Sequence, residues 1–257
     1  MSYNLHIPTT LEEALEIKRK TGGTYLAAGT VLLVNHRHQD DLIALEKIKG
    51  LSEIEDGPDY VKIGALCTFS QLESSPLIRA IPALWQASYH TAGPQIRNRA
   101  TIGGNIGCFS PASDSVTSLV ALDSEVELYD GSFHTVRIEE LKSVKDAIIT
   151  AVIVPKRFSV SIFEKVGKRN AMSVSVINMA MAKSKDGVRL AVGCVDRQVV
   201  YCRKTSEILS KHPADMKKAQ ESLLSEIHPI NDRWGNVEYK NTVAVNLLNK
   251  LSKEVLL

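Results

Sequence analysis

The chain has 257 residues, of which 44% are hydrophobic and 23% charged, and its formal net charge at pH 7 is +2. This composition is typical of an ordinary folded protein with a sizeable core and argues against disorder. The basic residues are scattered, whereas a nucleic-acid-binding protein concentrates them on one face, so nucleic acid is excluded as a partner. No apolar run reaches the roughly 18 residues of a membrane span.

The four cysteines lack the Cys-x-x-Cys spacing of zinc and iron–sulfur sites. The N-terminal segment lacks a charged stretch followed by an apolar core, which a secretion signal needs. We therefore expect a cytoplasmic protein with reduced thiols and with no metal site of its own.

Helices and strands alternate in the first part of the chain. Thr10 and Glu13 form a capping box that starts a helix, and Gly22 and Gly23 end it. Short strands are predicted over 24–29, 41–48 and 60–66, and an amphipathic helix over 81–90. A mixed fold of helices and strands follows from this alternation.

The pattern turns to strands after a glycine- and serine-rich segment, residues 99–115. Asp130 and Gly131 predict a hairpin turn, and a strand ends at Pro155. Three antiparallel strands are then predicted within 173–204, followed by helices over 214–227 and 241–256. We predict an α+β fold with a boundary near 156–165. It divides the chain into residues 1–160, with lobes of about 1–55 and 56–160, and residues 161–257.

The glycine-rich segment does not match a standard nucleotide-binding motif. Its glycines lack the G-x-G-x-x-G spacing, and it has no P-loop lysine. Paired glycines still let backbone N–H groups approach a diphosphate. The side chains that suit phosphate or ribose oxygens are those of Thr101, Asn105, Ser110, Ser113 and Asp114. A tight turn explains the same residues equally well, and the turn at Gly29 and Thr30 has the same two explanations.

Three segments together resemble the FAD-binding subunit of molybdenum hydroxylases, the xanthine dehydrogenase and carbon monoxide dehydrogenase group. They are "LAAGTVLLV", "GPQIRNRATIGGNIGCFSPASDSVTSLVALDSEVEL" and "FEKVGKRNAMSVSVINMAMA", and a late stretch, "NDRWGNVEYKNTVAVNLLNKL", resembles the family's final helical segment. The resemblance covers nearly all of the chain in the right order. It implies a two-lobed FAD-binding fold of the PCMH type, with FAD between the lobes. A small three-stranded antiparallel sheet with a helical bundle follows in this family.

The resemblance also implies which residues bind FAD. The first loop corresponds to Leu26, Ala27, Ala28, Gly29, Thr30, Val31, Leu32 and Leu33. The second segment corresponds to Thr101, Gly103, Gly104 and Asn105, and single cofactor contacts correspond to Asp114, Ile149 and Lys165. The family's first loop usually reads Ala-Gly-Gly-Thr-Asp, whereas Ala28 and Val31 stand at its second and fifth positions here. This departure predicts weaker FAD binding.

The function implied by the resemblance is electron transfer. In this family a molybdenum subunit hydroxylates the substrate, and electrons pass through [2Fe–2S] clusters to FAD, which reduces NAD+ or another acceptor. This chain then contributes no catalytic residue and needs a molybdopterin-binding large subunit and a [2Fe–2S] small subunit as partners. We expect such a subunit to expose large apolar patches where its partners dock.

Three alternatives accompany this interpretation. The altered first loop favours a flavin-free scaffold or assembly subunit that keeps the fold. A self-contained flavin oxidase of the alcohol-oxidase type needs a larger substrate domain than this chain offers. His36 and His38 suggest a metal pair, but no third ligand lies nearby in the sequence, so a solvated loop is favoured.

Overall fold

The computed structural model describes residues 3–34, 40–142, 144, 146–169 and 172–256, so His36 and His38 lie outside the described residues. The first layer is a parallel sheet of three strands in the order β1-β3-β2 with one helix packed on it. Its elements are β1 (Asn4–His6), α1 (Leu11–Thr21), β2 (Thr24–Leu26) and β3 (Asp41–Ala44). Thr10 Oγ1 accepts the Glu13 N–H at 3.2 Å, and Gly22 ends the helix with φ of +68°. The predicted start and end of this helix are therefore confirmed.

The middle layer is an antiparallel sheet of five strands in the order β4-β5-β8-β6-β7. Its strands are β4 (Ile54–Asp56), β5 (Tyr60–Gly64), β6 (Glu125–Tyr129), β7 (Phe133–Arg137) and β8 (Ile148–Pro155). Its helices are α2 (Phe69–Ser74), α3 (Pro76–Arg79), α4 (Pro82–His90), α5 (Pro94–Arg97), α6 (Ile102–Gly107) and α7 (Asp114–Ala121). The predicted hairpin turn at Asp130 and Gly131 joins β6 to β7.

The C-terminal layer is an antiparallel sheet of four strands in the order β12-β11-β10-β9, with helices on one face. Its elements are β9 (Phe158–Gly167), β10 (Ser175–Ser184), β11 (Gly187–Gly193), β12 (Val200–Tyr201), α8 (Arg203–Lys211), α9 (Met216–Glu226) and α10 (Val237–Leu256). The three strands predicted within 173–204 are confirmed as β10, β11 and β12, but the sheet has a fourth strand, β9, that the prediction missed. Its polar Ser161 interrupts an apolar pattern yet is buried, since its hydroxyl accepts the Ala83 N–H at 3.2 Å.

Helix α7 joins the middle and C-terminal layers. Seven of its eight residues are buried. One hydrophobic cluster contains Leu119 of α7, Val152 of the middle sheet and Ala180 of the C-terminal sheet. The two layers therefore share one core, and the segment that leads into α7 is held from both sides. Among the described residues, no helix is long and apolar enough to cross a lipid bilayer.

Candidate functional site

The first loop leaves strand β2 and turns back on itself. Gly29 has a φ of +71°, and a side chain there would lie 2.6 Å from Leu33 Cδ1, so the turn requires glycine. The Leu33 N–H donates to the Gly29 carbonyl at 3.1 Å. The N–H groups of residues 28–32 make no hydrogen bond to another described residue. Within that part of the chain, the loop therefore has a run of backbone donors available for an anion.

The glycine-rich segment forms helix α6, not an open loop. Thr101 caps this helix, and its Oγ1 accepts the Gly104 N–H at 3.1 Å. The Gly103 N–H donates to the Ala65 carbonyl at 2.8 Å, and the Asn105 N–H donates to the Thr101 carbonyl at 2.9 Å. The backbone donors of the glycine pair are thus engaged within the protein. The interpretation that they reach a diphosphate is not supported by this geometry.

The paired glycines are instead explained by close packing of α6 against Ala65 and against its own cap, Thr101. A Cβ on Gly103 would lie 2.6 Å from Ala65 Cβ and 2.8 Å from its carbonyl oxygen. A Cβ on Gly104 would lie 2.9 Å from Thr101 Oγ1, which is too close, and at an ordinary contact distance of 3.8 Å from Ala27 Cβ in the first loop. The structure therefore brings the two predicted segments together at Ala27 and Gly104. Ile149 belongs to the same neighbourhood, because its Cδ1 lies 3.8 Å from the position of a Gly107 Cβ.

Asp114 lies at the start of α7 and is buried, with both carboxylate oxygens hydrogen-bonded. Its Oδ1 accepts from Ser175 Oγ at 2.6 Å and from Asn178 Nδ2 at 2.7 Å. Its Oδ2 accepts from Lys165 Nζ at 2.6 Å. The sequence indicates Asp114 and Lys165 but not Ser175 and Asn178. The signal that could have found these two is a polar residue inside an apolar strand, "SVINMAMA".

The Lys165 ammonium donates hydrogen bonds to three protein oxygens. Besides Asp114, its ammonium donates to the His90 carbonyl at 2.8 Å and to the Ser173 carbonyl at 3.1 Å. An ammonium has three protons, so none is left for a ligand in this arrangement. The predicted flavin contact of Lys165 therefore lacks a free donor, and the side chain orients Asp114. Burial, followed by the Lys165 charge, lowers the pKa of the nearby His90 imidazole.

Cys194 lies beside this cluster but does not provide a nucleophile. Its Sγ donates to the Ser175 carbonyl at 3.3 Å. Burial, followed by the Asp114 carboxylate, raises the pKa of the thiol to about 12. The thiol is therefore protonated at neutral pH, which agrees with a site whose redox chemistry comes from a cofactor.

These residues fit an extended cofactor that carries a diphosphate, hydroxyl groups and an apolar ring. The available N–H groups of the first loop suit the diphosphate. Asn105 Oδ1 accepts from Ser115 Oγ at 2.7 Å, which orients the Asn105 side chain. Asp114 keeps one acceptor position for a hydroxyl, because a carboxylate has about four and three are filled. Ser113 Oγ is buried with no hydrogen-bond partner among the described residues.

The chain matches two protein families that together cover most of its length. Residues 1–157 match the "FAD binding domain in molybdopterin dehydrogenase", and residues 163–255 match the "CO dehydrogenase flavoprotein C-terminal domain". The chain belongs to the flavoprotein subunits of the molybdopterin dehydrogenases. This flavoprotein subunit is thus an oxidoreductase component with an FAD-binding domain, and the fold class implied by the sequence resemblance is confirmed.

Known proteins similar to this flavoprotein subunit match along nearly all of their length. The nicotinate dehydrogenase FAD-subunit of Eubacterium barkeri is 30% identical over 99% of this chain and 96% of its own. The putative xanthine dehydrogenase FAD-binding subunit of Escherichia coli is 28% identical over 98% and 94%. A chain of the carbon monoxide dehydrogenase of Hydrogenophaga pseudoflava superposes with a TM-score of 0.88 and 24% identity, covering 100% of this chain and 96% of that one. The last likeness shows the fold alone.

Proposed function

We propose that this flavoprotein subunit binds FAD between its first layer and helix α6 and transfers electrons through it. The observation that carries the proposal is the approach of the first loop to α6 at Ala27 and Gly104, 3.8 Å apart as measured from a Cβ built on Gly104. The bound flavin supplies the redox chemistry. The chain's own residues bind and orient the cofactor and exclude water, and none acts as an acid or a base.

Three of the predicted contacts, the first loop, Asp114 and Ile149, have roles that their surroundings support. The first loop holds the diphosphate with the backbone N–H groups of residues 28–32. Asp114 accepts one hydroxyl, and Ile149, which is 9% exposed, contacts the apolar part of the cofactor. We keep residues 1–160 as the FAD-binding part, with its two lobes of about 1–55 and 56–160, and residues 161–257 as the C-terminal part.

The electron donor and the acceptor belong to other molecules in this proposal. Electrons come from [2Fe–2S] clusters in a small subunit, which receives them from a molybdopterin-binding large subunit, and leave to NAD+ or another acceptor. Two relatives support a complex of this kind. They are described as the medium subunit of nicotine 6-hydroxylase and the medium chain of glyceraldehyde dehydrogenase. None of the four cysteines forms a disulfide within the part of the chain that the structure describes, which suits a reducing compartment such as the cytoplasm.

Titration of the purified chain with FAD tests the proposal against a flavin-free scaffold. We expect saturable binding, seen as quenching of flavin fluorescence and a structured visible absorption band. The double variant Ala28→Gly/Val31→Asp restores the family's usual loop and is expected to bind several-fold more tightly. If only the double variant binds, the natural chain is a scaffold that has lost the cofactor through this loop. If neither protein binds FAD, FAD is not a ligand of this chain.

A further inference from the structure

We propose that the C-terminal sheet forms part of the FAD site, with Ser175 and Asn178 acting as positioning residues for Asp114. The affinity for FAD then depends on how this sheet packs against helix α7. The inference rests on the proposed function and deepens it, since it assigns a cofactor role to strands outside the domain that matches the FAD-binding family.

The Asp114 carboxylate is oriented by strands of the C-terminal sheet. It is 7% exposed and accepts hydrogen bonds from Lys165, Ser175 and Asn178, all of which belong to strands β9 and β10. None of these three donors comes from residues 1–157. The C-terminal sheet therefore decides where the two oxygens point and which acceptor position is left for a ligand.

The side-chain amide of Asn178 has a single orientation in this network. Its Nδ2 donates to Asp114 at 2.7 Å, and its Oδ1 accepts from Thr117 Oγ1 at 2.7 Å. Asn178 is fully buried. Exchanging its amide nitrogen and oxygen would face the Asp114 carboxylate with a second acceptor, so the network admits only one arrangement. A rigid donor of this kind suits positioning better than a mobile surface residue.

Strand β11 also contacts the segment before α7. A Cβ on Gly193 would lie 2.0 Å from Asn178 Oδ1, 2.7 Å from Thr117 Oγ1 and 2.9 Å from the Pro111 carbonyl oxygen. The Cys194 N–H donates to that same Pro111 carbonyl at 2.8 Å. The segment that leads to Asp114 is thus fixed to β11 as well as to β10, and only glycine at 193 lets the elements meet.

Thermodynamic linkage gives this network a consequence for the cofactor. If the packed sheet orients Asp114 for FAD, bound FAD must in turn stabilise the packing of the sheet, by the same free energy. A purely structural network would stabilise the fold with or without FAD and leave the affinity unchanged. The affinity of folded variants therefore separates the two roles.

The test compares two positioning variants with a matched control in the full-length apo-protein. Ser175→Ala and Asn178→Ala remove one donor each to Asp114. Ser206→Ala is the control, because Ser206 has the same 2% exposure as Ser175 and lies in the same layer. Its hydroxyl accepts the Leu190 N–H at 3.0 Å and has no contact with Asp114. FAD is the probe, and its dissociation constant is measured by fluorescence quenching, with folding checked by circular dichroism.

We expect the dissociation constant to rise roughly tenfold for Asn178→Ala and severalfold for Ser175→Ala. Ser206→Ala should lose stability without losing affinity for FAD. Ser175→Thr keeps the hydroxyl and should therefore retain most of the FAD affinity that Ser175→Ala loses. Should Asn178→Ala not fold, the single hydroxyl removed in Ser175→Ala still decides the question. Wild-type affinity in a folded Ser175→Ala variant overturns the inference and leaves the proposed function intact. A wild-type protein without affinity for FAD overturns both.

Discussion

Gly29 shows how one residue determines the shape of the first loop. Its φ of +71° lies in the left-handed region, and the space where a side chain would stand is occupied by Leu33. The sequence identifies this glycine through the resemblance alone, because a glycine after a short strand is common. The φ value and the contact with Leu33 explain why no other residue fits.

Replacing Gly29 by alanine should weaken FAD binding and destabilise the chain. The left-handed backbone alone costs ~1–2 kcal/mol for a residue with a Cβ, and the clash with Leu33 distorts the loop whose N–H groups we propose as the diphosphate site. The measurements are the FAD dissociation constant and the urea midpoint of unfolding. Gly22→Ala is the matched control, since Gly22 has a φ of +68° and no atom within 4 Å of its Cβ position. Equal losses of FAD affinity in the two variants would speak against a cofactor role for the loop.

Helix α6 needs glycine at positions 103 and 104 for different reasons. Gly103 faces Ala65 and the middle sheet, whereas Gly104 faces Ala27 and the first loop. Its first-turn N–H groups donate to Cys67, Ala65 and Thr101. In the proposed site the helix is therefore a packed wall that would contact the cofactor through its surface.

The variants Gly103→Ala and Gly104→Ala should consequently differ. Gly103→Ala places a methyl group 2.6 Å from Ala65 Cβ, so we expect a loss of about 1–3 kcal/mol in the free energy of unfolding, as for overpacked cores. Gly104→Ala should lose less stability, because its methyl group meets a side-chain atom, Thr101 Oγ1 at 2.9 Å, where that of Gly103→Ala also meets the Ala65 backbone. The higher helix propensity of alanine offsets part of the loss. Gly104→Ala should still reduce FAD affinity by filling space opposite Ala27. Denaturant unfolding and FAD titration of both variants give the two values, and the reverse order of stabilities would contradict this packing.

The middle and C-terminal layers share a hydrophobic cluster through α7. Phe163 and Ala180 of the C-terminal sheet belong to the same cluster as Leu119 and Val152. The buried ion pair of Asp114 and Lys165 crosses the same boundary. Residues 1–157 therefore lack part of their own core when the C-terminal sheet is absent.

Calorimetry of the full chain should show a single unfolding transition, with calorimetric and van't Hoff enthalpies that agree. Saturating FAD should raise its midpoint without splitting it. The fragment 1–157, which exposes the face of α7 that contacts the C-terminal sheet, should fail to give a cooperative transition. Two separated transitions in the full chain would show that the layers unfold independently.

Elements that depend only on neighbouring residues can be predicted from the sequence. The cap of α1 by Thr10, the helix end at Gly22 and the hairpin at Asp130 and Gly131 are all local, and all are confirmed. The predicted capping box is only half formed, because the Glu13 carboxylate accepts the Thr9 N–H at 2.7 Å. The fold class and the family followed from segments whose order and composition are distinctive. Contributions from residues close in the chain are enough to predict these features.

The contacts that those segments make with distant parts of the chain are seen only in the folded protein. The fourth C-terminal strand was missed because its buried Ser161 depends on Ala83, 78 positions away. Asp114 was predicted, but its partner Asn178 lies 64 positions further along the chain. Hydrogen bonds of this kind satisfy buried polar groups across layers, and no local pattern encodes them. For the same reason the glycine pair, which suggested backbone donors for a phosphate, is a close-packed helix whose donors are already engaged.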